Sequence, residues 1–454
     1  MVGKLRNQGH DASICPDIFS VSWFPLGCED RKDMRMQKIA LTDAPAWIAA
    51  KAGPGGRVYV AGCTGQPTAL FDAFHAAPDH AAGLTFHGIW IPGVNLLDWA
   101  GLHPQARGEA TFASPDWQKS AAAGRLRIVP ETYTASFHRL AHASADVAVA
   151  MTAPPDANGE CSLGVAVDFT PAAWGRARRR MLLINPQMPV PADGIRLRLD
   201  QADAIVDVDQ PLLTVPPVTL DSAFAAIAAH IRSLLRDGDT LQFGLGKVQL
   251  AMLATLSGLR DIRLHAGMVS DPLLPLLSQD VLSDMPGAVT AGVALGSTAL
   301  YAAVASDPRL CFRPVGYTHD IRTLAAIPRL VAINSVIEVD LFGQANAEFI
   351  GGRAVSGGGG LLDFLRGARI SPGGLPVLAL VSTARGGSLS RIVPRLNTPA
   401  VTIPRCDVGL VVTEQGVADL RGLDEDARAM ALISIADPMH RDSLSRAWKQ
   451  MRRQ

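Results

Sequence analysis

Arg57-Val-Tyr-Val-Ala61 is a short apolar run of the kind that forms a strand buried on both faces, and Gly62-Cys-Thr-Gly65 stops it. Pro67-Thr-Ala-Leu-Phe-Asp-Ala-Phe74 then opens a helix with proline in its first turn, where a missing N–H is harmless. Leu84-Thr-Phe-His-Gly-Ile-Trp-Ile91 is a second apolar strand, and Val147-Ala-Val-Ala-Met151 and Met181-Leu-Leu-Ile184 follow the same pattern. Strands alternating with helices predict an α/β architecture on parallel sheet.

The pattern returns beyond a proline-rich joint at Pro211 to Pro217. A helical stretch runs from Ser222 to Leu235, then Asp239-Thr-Leu-Gln-Phe243 reads as a strand and Gly244-Leu-Gly246 as a turn. A helix over Val248 to Leu256 and the strand Ile262-Arg-Leu-His-Ala-Gly-Met268 come next. Gly62 and Gly244 are 182 residues apart, and His87 and His265 are 178 apart. Strand, glycine turn, helix and His-bearing strand at nearly one spacing predict two tandem related α/β domains. The expected boundaries are a disordered or spurious leader over 1–36, a first domain over 37–210 and a second over 211–454.

Composition narrows the function. The 454 residues correspond to two or three domains at roughly 150 residues each. Hydrophobic residues make up 48% and charged residues 19%, enough apolar surface for a large core. Basic and acidic residues number 42 each, so the chain lacks the positive excess that nucleic acid or an anionic membrane selects. Cys15, Cys28, Cys63, Cys161, Cys311 and Cys406 are scattered, with no CxxC and no metal-ligand spacing with histidine. They read as buried small hydrophobes or bystander thiols. No metal, flavin or nicotinamide motif is present. The first residues lack the continuous apolar region of a signal peptide, and no long apolar run suggests a membrane span, so the expected location is cytoplasmic.

Three glycine-rich turns could carry chemistry. Gly62-Cys-Thr-Gly65 and Gly244-Leu-Gly246 each join a strand to a helix and could present backbone N–H groups to a phosphate or an oxyanion, or be only tight turns. Neither has the third glycine of a dinucleotide fingerprint. Ser356-Gly-Gly-Gly-Gly360 is more informative, because successive glycines lose much conformational entropy unless a ligand or a backbone must approach closely. Leu361-Leu-Asp-Phe-Leu365 follows at once, so the run belongs to ordered structure and is not a linker.

Several segments resemble the acetyl-CoA hydrolase/transferase family. They are Ile333-Asn-Ser-Val-Ile-Glu-Val-Asp-Leu-Phe-Gly-Gln-Ala-Asn-Ala-Glu348, Ser356 to Ala368, Ser382-Thr-Ala-Arg-Gly-Gly-Ser-Leu-Ser-Arg-Ile-Val-Pro394, Val411 to Leu420 and Arg428 to Pro438. Pro154 to Gly164 and Ile184-Asn-Pro-Gln-Met-Pro189 in the first half look similar to the same family. The resemblance implies a CoA-transferase-like pair of α/β domains, coenzyme A as substrate or product, an acyl-CoA or acyl-pantetheine carrier as partner, and a homo-oligomer. It also implies a glutamate that attacks the thioester, passing through an acyl-glutamyl anhydride to a glutamyl-CoA thioester. By the same resemblance, backbone donors at Leu245 and Gly358 would hold the oxyanion. Gly244, Gly246, Gly357, Gly358, Gly359 and Gly360 would accommodate the pantetheine, and Asn346 would neighbour the reacting centre.

One position departs from the pattern. The family's glutamate falls in a segment of the type His-Thr-Glu-Met-(Ile/Phe)-Ser-Asp, and this chain has His265-Ala-Gly-Met-Val-Ser-Asp271. Gly267 stands in the glutamate's place and cannot attack a thioester. The family's glutamine after the double glycine is replaced by Leu361 as well. Asp271, Glu338, Glu348 and Glu414 are carboxylates that could substitute or could be structural. His265 is a candidate general base or a core residue. Lys247 could meet a phosphate or carboxylate, or only solvent. Three readings follow: acyl transfer or hydrolysis without a glutamyl intermediate, CoA transfer through a displaced carboxylate, and a non-catalytic CoA-binding relative.

Overall fold

The computed structural model describes residues 36–216, 222–244 and 246–453. The expectation for the leader therefore lies, apart from Met36, outside the described residues, as does Leu245.

Two eight-stranded sheets organise the chain. The first contains β1 (Gln37–Lys38), β2 (Arg57–Val60), β3 (Thr85–His87), β4 (Arg107–Ala110), β5 (Leu126–Ile128), β6 (Val147–Thr152), β7 (Arg179–Ile184) and β8 (Ala204–Asp207). Its order is β1-β8-β7-β6-β2-β3-β4-β5, with every pair parallel. The second contains β9 (Thr240–Phe243), β10 (Arg263–Val269), β11 (Val289–Ala294), β12 (Leu310–Phe312), β13 (Leu330–Ser335), β14 (Leu375–Ala379), β15 (Leu410–Thr413) and β16 (Gly416–Asp419). Its order is β12-β11-β10-β9-β13-β14-β15-β16, parallel except for the last pair.

The two orders share one topology except at one edge, which is the parallel N-terminal strand β1 in the first sheet and the antiparallel strand β16 in the second. In each sheet the first long strand, β2 or β9, is followed outward by three strands on one side, and the chain then crosses back to build the other side. β3 and β10, which carry His87 and His265, are equivalent. The central strands are near-continuous Val, Leu, Ile and Ala because helices or the other half cover both faces. One contiguous core runs from Ala44 and Val58 through Leu241 to Val412, so the two sheets share their burial.

A topology of this kind leaves a crevice beyond the carboxyl ends of the strands where the order reverses. In the first sheet that point lies between β2, β3 and β6, at the Gly62 turn, and protein fills it. The Thr64 hydroxyl donates to the carbonyl of Ala294 from the second half at 2.9 Å, and a Cβ on Gly62 would fall 1.8 Å from the carbonyl oxygen of Ile89. In the second sheet the equivalent point, beyond β9, β10 and β13, stays open.

Candidate active site

The open crevice is a cavity of about 330 Å³ between the two halves. Gln242 and Gly244 at the end of β9, Gly267 in β10, and Asn334 and Ser335 at the end of β13 line one side. Phe112, Tyr133 and Asp168 from the first half line the other, and Gly357 to Gly360 close the wall between them.

Paired amides fix the floor. Asn334 Nδ2 donates to Gln242 Oε1 at 2.9 Å, Gln242 Nε2 returns a longer bond at 3.4 Å, and Gln249 Nε2 donates to Ser335 Oγ at 3.2 Å. These groups satisfy one another, so the floor is polar and rigid without a charge.

The glycine wall is clamped to the first half. Tyr133 N donates to Gly359 O at 3.1 Å, Ala113 N to Ser356 O at 3.4 Å, and Thr134 N to the Asp363 carboxylate at 3.0 Å. The four glycines have different reasons for being glycine. A Cβ on Gly357 would lie 2.8 Å from Thr111 O, and one on Gly360 would lie 2.3 Å from His319 Nε2. Gly359 has φ +53°, a left-handed conformation that side chains resist. At Gly358, among the described residues, a Cβ would meet nothing nearer than Thr402 Cγ2 at 4.0 Å. Among the described residues, nothing accepts from its N–H. Leu361, beyond the run, borders the cavity and begins the helix Leu361–Ile370, for which Gly360 is the N-cap.

Gly267 is part of the cavity lining, and His319 is packed against it. The His319 ring is 2% exposed, its Nδ1 contacts the Thr318 hydroxyl at 2.8 Å, and its centroid is 4.4 Å from that of Phe364. Burial, with some help from neighbouring His265, pulls its pKa down to about 3, so the imidazole is neutral.

Other expected site residues are placed elsewhere. His265 is not part of the cavity lining: its Nε2 contacts Thr318 O at 3.0 Å, and burial lowers its pKa to about 4, so the imidazole is neutral. Asn346 is also outside the lining. Its Nδ2 donates to Phe349 O at 2.8 Å and Glu338 at 3.3 Å, while its Oδ1 accepts from Glu348 N and Phe349 N, so it fastens a turn. Gly246, with φ +136°, is the N-cap of the helix Lys247–Leu253 and is not part of the lining, whereas Gly244 is. Lys247 lies over the Phe224 ring at 5.4 Å.

None of the four candidate substitute carboxylates is among the cavity-lining residues, and each accepts hydrogen bonds from its neighbours. Asp271 accepts from the backbone and hydroxyl of Ser297 at 2.8 and 2.7 Å, and Glu348 accepts from Thr402 at 2.7 Å. Glu338 accepts from Asn346, and Glu414 accepts from the backbone and hydroxyl of Ser382.

One acid was missed. Asp168, in Val165-Ala-Val-Asp-Phe169, lines the cavity from the first half. Its φ is +35°, unusual for any residue but glycine, and it is held from both sides: its N–H donates to Gly292 O at 3.2 Å and its carbonyl accepts from Val315 N at 3.0 Å. Burial pushes its carboxyl up to about 7. The sequence signal was slight: one acid in an apolar run, four residues past a family-like segment.

An open crevice at a strand switch point, walled by backbone and amides, is where α/β proteins of this architecture bind small molecules. The acetyl-CoA hydrolase/transferase C-terminal domain model matches residues 296–448. The chain is 33% identical over 402 residues to 4-hydroxybutyrate coenzyme A transferase of Clostridium kluyveri, covering 87% of this chain and 94% of the relative. It is 35% identical over 316 residues to succinyl-CoA:cyclohexane-1-carboxylate CoA transferase of Geobacter metallireducens, covering 68% of this chain and 72% of the relative. The crystal structure of RipA from Yersinia pestis matches with a TM-score of 0.83 at 26% identity, over 92% of this chain and 98% of that one. The protein belongs to the acetyl-CoA hydrolase/transferase family. Among the described residues no helix is long and apolar enough to cross a membrane.

Proposed function

We propose that the protein cleaves CoA-type thioesters by direct transfer of the acyl group to water or another small acceptor, without a glutamyl-CoA intermediate. The supporting observation is at residue 267. The resemblance assigns the family's attacking glutamate to this position, glycine occupies it, and the cavity around it is kept. The N–H of Gly358 borders that cavity with no acceptor among the described residues, which suits an oxyanion donor, and Leu245 is the second donor in this reading. Oxyanion stabilisation and binding without a covalent nucleophile still give acceleration on the order of 10³-fold over water. Pantetheine carried by CoA or by a carrier protein would enter along Gly358, where the wall has room. The reading further includes a first domain over 37–210, a second over 211–454, a homo-oligomer and a cytoplasmic location.

Incubation with butyryl-CoA followed by borohydride or hydroxylamine and intact-mass spectrometry tests this. The expected result is consumption of thioester with no protein adduct. A trapped carboxyl thioester favours a CoA-transferase using a displaced carboxylate, and CoA binding with no consumption of acetyl-, butyryl- or succinyl-CoA favours a non-catalytic binder. Either result would falsify the proposed route.

A further inference from the structure

We infer that Asp168 is the general base of this site, taking the proton from the water that attacks the thioester. The inference rests on the hydrolytic reading above and supplies the group that reading lacks. In the β10–β11 register Ala266 pairs with Ala291 and Met268 with Val293, so Gly267 and Gly292 are side by side on adjacent strands. A Cβ on Gly292 would lie 3.4 Å from Asp168 Oδ1 and 2.8 Å from Gly267 O. The carboxyl therefore lies against the space that a side chain at Gly292 would take, on the strand next to residue 267.

Its environment separates it from the four other candidate acids. Asp271, Glu338, Glu348 and Glu414 each accept hydrogen bonds, whereas among the described residues nothing donates to the Asp168 carboxyl. Tyr59, Cys63 and Tyr133 feel its charge, and His319 shares the cavity lining with it. Burial, with a contribution from Asp168's charge, pushes Tyr59 and Tyr133 upward and Cys63 to about 12, while His319 is pulled down to about 3. All four are neutral near pH 7, so none stabilises the ionised carboxylate. A carboxyl with a pKa near the working pH is well matched to proton transfer. A residue held at positive φ by backbone bonds on both sides, with a carboxyl that takes no hydrogen bond from the described residues, is also where strain accompanies function.

The step balances. The Asp168 carboxylate accepts a proton as water oxygen bonds to the thioester carbon, and the carbonyl electron pair moves onto oxygen. Collapse of the tetrahedral species breaks the C–S bond, and the departing thiolate takes the proton from Asp168. The products are one carboxylic acid and one free CoA thiol.

The test uses the full-length protein, acetyl-, butyryl- and succinyl-CoA, and the variants Asp168→Asn and Asp168→Glu. Asparagine tolerates positive φ, so Asp168→Asn keeps the backbone; CoA affinity by calorimetry checks that the site is intact. We expect wild-type kcat/KM to rise with pH through about 7 and level off, because the base must be ionised. Asp168→Asn should lose on the order of 10²–10⁴-fold in kcat, with KM little changed and the inflection gone, and Asp168→Glu should recover part of the loss. A single turnover in ¹⁸O-water should label the product acid and leave the Asp168 peptide unlabelled. Wild-type turnover with Asp168→Asn within twofold of it, or with the inflection retained, overturns the base while leaving the hydrolytic reading standing. Label in the Asp168 peptide overturns it in favour of covalent attack. Absence of turnover by the wild type removes the hydrolytic reading itself, and the base with it.

Discussion

His319 occupies the space into which a side chain at Gly267 would grow: a Cβ at residue 267 would stand 3.0 Å from His319 Cε1 and 3.2 Å from its Nε2. Residue 267 and the histidine are therefore one packing unit, and restoring a carboxylate requires changing both. Gly267→Glu alone should overpack the site and cost about 1–3 kcal/mol, read as a lower denaturation midpoint. Gly267→Glu combined with His319→Ala should regain stability over the single variant. It should also transfer CoA from butyryl-CoA to acetate through a trappable adduct. No transfer by a stable double variant would mean that the rest of the site no longer supports that route.

The glycine wall gives a test with opposite outcomes at neighbouring positions. Gly357→Ala places a methyl against the Thr111 carbonyl and should destabilise the fold by about 1–3 kcal/mol. Gly358→Ala meets open space and should leave stability unchanged or raise it by up to about 1 kcal/mol, while thioester turnover falls because the methyl enters the cavity. Melting temperature and kcat/KM, measured on both variants, separate packing from function. Equal loss of stability at the two positions would refute this division.

Asp168 carries a stability cost with a definite pH sign. Its folded pKa, about 7, is above its unfolded value near 3.9, so between those values the native state holds a proton that the unfolded chain has lost. Stability contributed by the protonated acid is present below about pH 4 and is lost as pH rises through 7. Asp168→Asn, neutral throughout, should match wild type at pH 4 and be more stable at pH 8, on the order of 2 kcal/mol after allowing for water in the cavity. Urea midpoints at the two pH values check this, and a variant less stable at pH 8 would contradict it.

Asn346 should behave as a structural residue. Its amide makes three contacts within one turn and a fourth with Glu338, so Asn346→Ala should lower stability by about 2–3 kcal/mol. Activity per folded molecule should stay within about twofold of wild type. A selective fall in kcat with an unchanged melting temperature would return Asn346 to the reacting centre.

The legible part of this protein was periodic. Apolar runs at Arg57–Val60 and Thr240–Phe243, each ended by glycine and followed by a helix, announced parallel strands and their repetition, because burial on both faces and a tight turn each demand particular residue types close in sequence.

Long-range contacts settled the rest. Asp168 and Gly267 are 99 residues apart, and nothing local to either says that a strand pairing of Gly267 with Gly292 draws the acid to the cavity. His265 and Asn346 looked equally available in the sequence, yet backbone contacts with Thr318 and Phe349 hold them in the interior. Of the two glycine turns produced by the repeat, one is plugged by Thr64 and Ile89 and the other is open. Sequence by itself determined the strands and their order of appearance, because those depend on neighbours along the chain. Which crevice stays empty and which acid faces it depend on packing between the halves, and only the tertiary structure decides that.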